Sequence, residues 1–156
     1  MRGNFQVCLA LLWENEQPQL GKKRGETRFG ISRKTLASWR GAKPTQTDLG
    51  DLEKGEASAI LYAWFWRGIR GDDLPKGVDY ALFDHAAYSG VTDAVVDLQT
   101  VLRVVKPDGD VGGVTLAAIR DQDPRVVISA LSRLKSNQEH AAKVEKEALA
   151  MVDHIS

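Results

Sequence analysis

Four residues near the start of the chain have types and spacing suited to hydrolysis: Glu14, Glu16, Glu26 and Thr27. Glu14 ends an apolar run over residues 5–13. A carboxyl at the end of a buried helix loses solvent, which disfavours its charged form and raises its pKa. A carboxyl that keeps its proton near neutral pH can protonate a leaving oxygen, as the general acid in glycosidic cleavage does. The structural alternative pairs Glu14 with Lys22, Lys23 or Arg24. Cleavage of this kind usually wants a second carboxylate. Glu16 lies two residues on and is the weaker choice; Glu26 sits in a Gly25-Glu26-Thr27 turn. The Thr27 hydroxyl can hold a water. Against these stand ordinary roles, a surface carboxylate or a loop-stabilising hydroxyl.

A second group is aromatic. Tyr62, Trp64, Phe65 and Trp66 form a block, and Tyr88 closes Phe83-Asp84-His85-Ala86-Ala87-Tyr88. Sugars stack on aromatic faces, so Tyr62 or Trp66, together with Tyr88, are candidates to line a glycan groove. Core packing competes for most of the block, because adjacent helical residues face different ways. Asp84 is a candidate substrate contact, with bonding to buried backbone or a neighbouring base as the alternative. Asp84 and His85 have no positioned Ser or Cys to make a nucleophilic triad. The Asp108-Gly109-Asp110 turn lacks the ligand run of a calcium loop, and no Gly-rich stretch carries the Lys-Ser/Thr of a phosphate loop.

The elements that must position these groups read as helices. Residues 4–14 put Phe5, Leu9, Leu12 and Trp13 at three- and four-residue spacing, with Asn4 as a cap. Residues 15–30 hold Pro18, Gly21, Gly25 and Gly30 without a steady period, a long loop with a short hairpin. Ser32 caps a helix over residues 33–40 that Gly41 stops. Asp48 caps a short turn in a polar connector. Helices follow over 52–67, 78–88 (ended by Gly90) and 92–105, then 114–120. Asp123-Pro124 opens another through Leu134. Residues 137–152 are helical by propensity but weakly amphipathic, and are expected to protrude or fray.

The chain has 156 residues, 43% hydrophobic and 27% charged, enough for one domain with a core and a helical extension. Single Cys8 excludes an intrachain disulfide. His85, His140 and His154 show no metal-ligand spacing, so no structural zinc is expected; glycosidic cleavage by carboxyl groups requires no metal or organic cofactor. The run over residues 7–13 is too short for a membrane span, and Glu14 ends it before any signal-type cleavage site. Net charge is zero but uneven: residues 1–43 carry nine Lys/Arg against three Glu, and residues 44–121 seven against thirteen acids. A basic front can bind a polyanion or pair with the acidic middle. No nucleic-acid motif supports the first.

Assembled in order, these residues resemble glycoside hydrolase family 108, lysozyme-like N-acetylmuramidases of phages and bacteria, over most of residues 5–134. The family's apolar helix ends in Glu-Gly-Gly, matched here by Leu12-Trp13-Glu14-Asn15-Glu16. Its loop closes as Arg24-Gly25-Glu26-Thr27-Arg28-Phe29-Gly30-Ile31-Ser32 does. Ala57 to Trp66, Leu74-Pro75-Lys76-Gly77-Val78-Asp79-Tyr80-Ala81-Leu82-Phe83-Asp84, Ser89-Gly90 and Asp108 to Leu116 continue the likeness. The family's two glycines are Asn15 and Glu16 here, its Asp-rich turn is Gly21-Lys22-Lys23-Arg24, and residues 137–156 have no counterpart in its pattern.

The resemblance implies a mainly α, lysozyme-like helical domain with an irregular, hairpin-containing active-site loop. It divides the chain into a hydrolase region (1–91), a helical peptidoglycan-binding-like region (92–136) and a polar helical tail (137–156). It implies a muramidase in which Glu14 is the catalytic acid and Glu26 or Thr27 orients the water. Glu16, Tyr62, Trp66, Asp84 and Tyr88 then contact substrate. The expected partner is the peptidoglycan glycan strand, with no nucleic acid and no stable membrane insertion. A phage enzyme held in the cytoplasm until a holin releases it, or a virion component, fits that picture. The alternative is a catalytically impaired relative that binds cell wall or a phage structural partner.

Overall fold

The computed structural model describes residues 4–16 and 26–153, which fold as a mainly α protein. Helix α1 spans Phe5–Glu14, and a two-stranded antiparallel hairpin, β1 (Thr27–Arg28) and β2 (Ile31–Ser32), leads into α2 (Arg33–Arg40). Helix α3 (Lys54–Ile60) runs on into a π-helical turn over Leu61–Trp66. Then come α4 (Val78–Ser89), α5 (Val91–Val101), α6 (Gly113–Arg120), α7 (Pro124–Arg133) and α8 (Gln138–Asp153).

Helix α4 is the axis. Every residue from Val78 to Ala87 is buried, the pattern of a helix surrounded on all sides rather than laid on a surface. Helices α1, α5, α7 and α8 and the π turn all contact it. Its buried polar groups each find a partner on a different neighbour, as burial demands. Asp79 accepts from Asn4 Nδ2 at 2.6 Å and from the backbone N–H groups of Gly77 and Tyr80 at 3.0 and 2.7 Å. His85 Nε2 lies 2.7 Å from Asp97 of α5. Asp84 meets Lys135 Nζ at 2.9 Å and His140 Nε2 at 3.0 Å, tying α4 to the turn after α7 and to α8.

Several local signals act as the sequence suggests. Ser32 accepts from Thr35 N, Asp48 from Gly50 N, and Asp123 from Arg125 N. Asn4 does not cap α1; its amide goes to Asp79 instead. Helix α5 stops at Val101, four residues before the expected end. Arg103 adopts φ 60°, and the Arg103 and Val104 N–H groups bond back to Thr100 and Gln99. That closes the helix in a left-handed cap ahead of Pro107, whose ring disfavours helical geometry at Lys106. Gln99 then organises the next turn, its Oε1 accepting from Gly109 N at 2.9 Å and its Nε2 donating to Asp108 at 2.9 Å.

Residues 137–152 neither protrude nor fray. Helix α8 buries His140, Ala141, Val144, Ala148 and Val152 against α7 and α4. Gly77 lets it approach: at φ 93°, an added Cβ there would sit 2.6 Å from the Ala148 carbonyl oxygen and 2.7 Å from Val152 Cγ2.

Candidate active site

Glu14 is the last residue of α1, and its side chain is exposed. The burial expected for it is absent, for a geometric reason. A helix turns about 200° over two residues, so Glu14 faces away from the core side set by Leu12. Pairing with Lys22, Lys23 or Arg24 falls on residues outside those described.

The residues around Glu14 are firmly held. Trp13 Nε1 donates to the Phe29 carbonyl at 2.9 Å, and the two rings pack 5.7 Å apart. Glu16 Oε1 accepts from Gly30 N at 2.7 Å. Phe29 and Gly30 form the two-residue tip of the hairpin, with φ of 54° and 83°. Positive φ at both positions is what a tight hairpin of the primed type needs. So the residues one before and two after Glu14 grip the hairpin tip from both sides. Glu16 therefore has a backbone to hold and is not a free carboxylate. Asn15, between them, is buried; its amide donates to Tyr80 OH and to Glu147 of α8.

The clamped hairpin carries Thr27 on β1. Thr27 is 7% exposed, and its Oγ1 is buried with no hydrogen-bond partner among the described residues. A buried hydroxyl left unsatisfied costs about 1–3 kcal/mol. Glu26 is highly exposed and meets Arg33 at 3.7 Å, a solvent-facing ion pair that contributes little.

The aromatic candidates separate. Tyr62 is 42% exposed and lines a concavity of about 710 Å³ with Phe5, Gln6, Ser58 and Arg67. Trp66 does not line a groove. It is wholly buried, its Nε1 donates to Asp72 at 3.0 Å, and it packs on Phe5 and Phe83. The π turn inserts a residue here, shown by the Arg67 N–H bonding to the Tyr62 carbonyl, and so shifts which side chains face inward. Trp64 comes out half-exposed beside Trp39 and lines a smaller concavity with Lys34 and Ser38. Glu14 lines neither of these two hollows.

Asp84 is not a substrate contact either, since it has no exposed surface and is saturated by Lys135 and His140. Burial alone would push its carboxyl up, but the Lys135 ammonium and the His140 hydrogen bond outweigh that and hold it below the usual range. Tyr88 is partly buried with its ring edge-on to His140 at 5.1 Å. Among the described residues no group of three or more His, Cys, Asp or Glu could hold a metal, and no helix is long and apolar enough to cross a membrane.

Sequence reasoning missed the Asn15–Tyr80–Glu147 triangle and the Lys135 and His140 partners of Asp84. The available signal was faint: His140, Val144, Ala148 and Val152 recur every four residues, but two small alanines in the stripe, Ala141 and Ala148, weaken it.

The comparisons with known proteins bear on this arrangement. The sequence profile of the glycosyl hydrolase 108 family matches residues 20–90, beginning after Glu14 and including Thr27. A solved structure described as "Structure of Brucella abortus SagA" is 30% identical, with a TM-score of 0.85 over 97% of this chain and 97% of that one. A match that complete takes in most of α8. The search of curated proteins found no match.

Proposed function

The chain belongs to the glycosyl hydrolase 108 family, and from that premise we propose that it is a peptidoglycan hydrolase of the muramidase type. It cleaves the β-1,4 bond between N-acetylmuramic acid and N-acetylglucosamine. Glu14 protonates the departing glycosidic oxygen, and the Thr27 hydroxyl orients the attacking water. The observation that carries this reading is the buried Thr27 Oγ1, without a partner among the described residues, on a hairpin held by the residues one before and two after Glu14. A water bound there would satisfy the hydroxyl. Glu26, next in sequence to Thr27, is the second carboxylate, with Arg33 as its exposed partner. Tyr62 supplies an exposed ring for a sugar at a distance from the reacting bond, and residues 92–136 contribute wall binding. The protein reaches its polymer through holin-dependent release or as part of a virion.

The exposure of Glu14 favours a second reading, a wall-binding relative without turnover. Clearing of purified peptidoglycan separates the two. Under the first, wild type clears the suspension and Glu14→Gln does not; general acids contribute about 10²–10⁴-fold. Equal clearing by both removes Glu14 from its role. Clearing by neither, with both proteins still pelleting on sacculi, establishes the second.

A further inference from the structure

Helix α8 reaches across the molecule to the residue that follows Glu14. Asn15 Nδ2 donates to Glu147 Oε1 at 2.7 Å and to Tyr80 OH at 3.1 Å, and Tyr80 OH donates to the same Glu147 oxygen at 3.1 Å. Asn15 is 4% exposed and Tyr80 wholly buried. The hydrogen inventory fixes the arrangement. The two amide protons go one each to Tyr80 and Glu147, and the phenolic proton goes to Glu147. Turning the amide over would set its oxygen against the carboxylate. So Glu147 is the acceptor on which the triangle closes, and a charged acceptor makes such bonds stronger.

Asn15 is also the C-terminal cap of α1, its N–H bonding to the Leu11 carbonyl at 3.0 Å. Its side chain therefore pins the last turn of α1, from which Glu14 projects. On the opposite flank Glu16 holds Gly30. The backbone of Glu14 is fixed from the hairpin on one side and from α8 on the other. Contacts other than those of Glu147 also dock α8. That helix is seated by the close approach over Gly77, by Ser132 Oγ donating to the Ala141 carbonyl at 3.2 Å, and by His140 and Lys135 on Asp84.

We infer that Glu147 is a positioning residue for the hydrolytic step, setting the direction of Glu14 through Asn15. This rests on Glu14 being the acid. Small displacements of a reacting group are expensive in rate, about 10²-fold for 1 Å. Substrate binding, built from other residues, should be spared.

The test uses the full chain with Glu147→Ala, Glu147→Gln, Asn15→Ala, the double variant, and Glu145→Ala as a control on the same helix. Expected on peptidoglycan fragments is a kcat about tenfold or more below wild type for Glu147→Ala, with KM changed by less than roughly twofold. Glu147→Gln, whose carbonyl can still accept, restores most of the rate. Asn15→Ala matches Glu147→Ala, and the double variant is no worse than either single one. Hydrogen exchange runs alongside: in Glu147→Ala the amides of residues 13–16 exchange faster while those of α7 and α8 keep their protection. An unchanged kcat, a loss confined to KM, or unchanged exchange at residues 13–16 overturns the inference. If wild type clears no peptidoglycan, the hydrolase reading falls, and the exchange result alone decides whether Glu147 holds the end of α1. Should Glu147→Ala loosen α8 as well, Asn15→Ala, which leaves α8 intact, decides in its place.

Discussion

Glu16 Oε1 accepts a hydrogen bond from the Gly30 backbone N–H at 2.7 Å, so a carboxylate two residues after Glu14 holds the tip of the hairpin that bears Thr27. Hydrogen bonds to charged groups contribute about 1.5–3 kcal/mol. Glu16→Ala should lose that much in urea unfolding and also lower turnover, because the hairpin loosens. Glu16→Gln, which keeps a carbonyl oxygen, should lose less than half as much.

Thr27 separates a catalytic hydroxyl from a structural one. Among the described residues its Oγ1 has no partner to lose, so Thr27→Val, close in shape, should leave the melting temperature unchanged or raise it. Peptidoglycan clearing by the same variant should fall steeply, about 10²-fold or more if the hydroxyl orients the water. Thr27→Ser should keep most of the activity. A Val variant that clears normally removes Thr27 from the reaction.

Asp84 makes stability depend on acid. Its folded carboxyl is held below the ordinary range by Lys135 and His140 against the pull of burial. Unfolded, it titrates near about 3.9. Its contribution is therefore complete above that value and drains away as pH falls through the folded value. Asp84→Asn leaves Lys135, whose side chain is 8% exposed, facing a neutral amide, a loss of about 3–5 kcal/mol near pH 7. The gap between variant and wild type in urea unfolding should narrow as pH falls below about 4.

Gly77→Ala tests the seat of α8. The new Cβ would meet the Ala148 carbonyl oxygen at 2.6 Å, Val152 Cγ2 at 2.7 Å and Ile128 Cδ1 at 3.0 Å, on a backbone already at φ 93°. Overpacking of this kind costs about 1–3 kcal/mol, with a further cost of order 1 kcal/mol for the left-handed backbone. Thermal melting should shift down accordingly, with hydrogen exchange rising first in α8.

The legible parts of the chain were those whose cause lies within a few residues. Ser32, Asp123 and Gly41 mark their helix ends because a cap is a local bond, and Gly30 marks the hairpin because its φ is local too. Glu14 and Thr27 drew attention for their chemistry alone; the hairpin tip, Phe29 and Gly30, is what meets Trp13 and Glu16 at the end of α1. What escaped depends on distant partners or on register. The π turn carries Trp66 into the core, which a steady 3.6-residue period cannot show. Arg103 in a left-handed cap shortened α5, though Arg gives no such cue. Asp84 found Lys135 and His140, and Asn15 found Glu147, across separations of 51 to 132 residues.

The seating of α8 over Gly77 and Asn15 also sets an order of events during synthesis. Contacts between Asn15 and Glu147 join positions 132 apart. Until residues 138–153 emerge from the ribosome, the first helix has made its local bonds but lacks its far anchor, and Gly77 presents bare backbone. A nascent chain stalled before that point lacks the brace that Glu147 gives Asn15, so the end of α1 takes up its final packing only when α8 arrives.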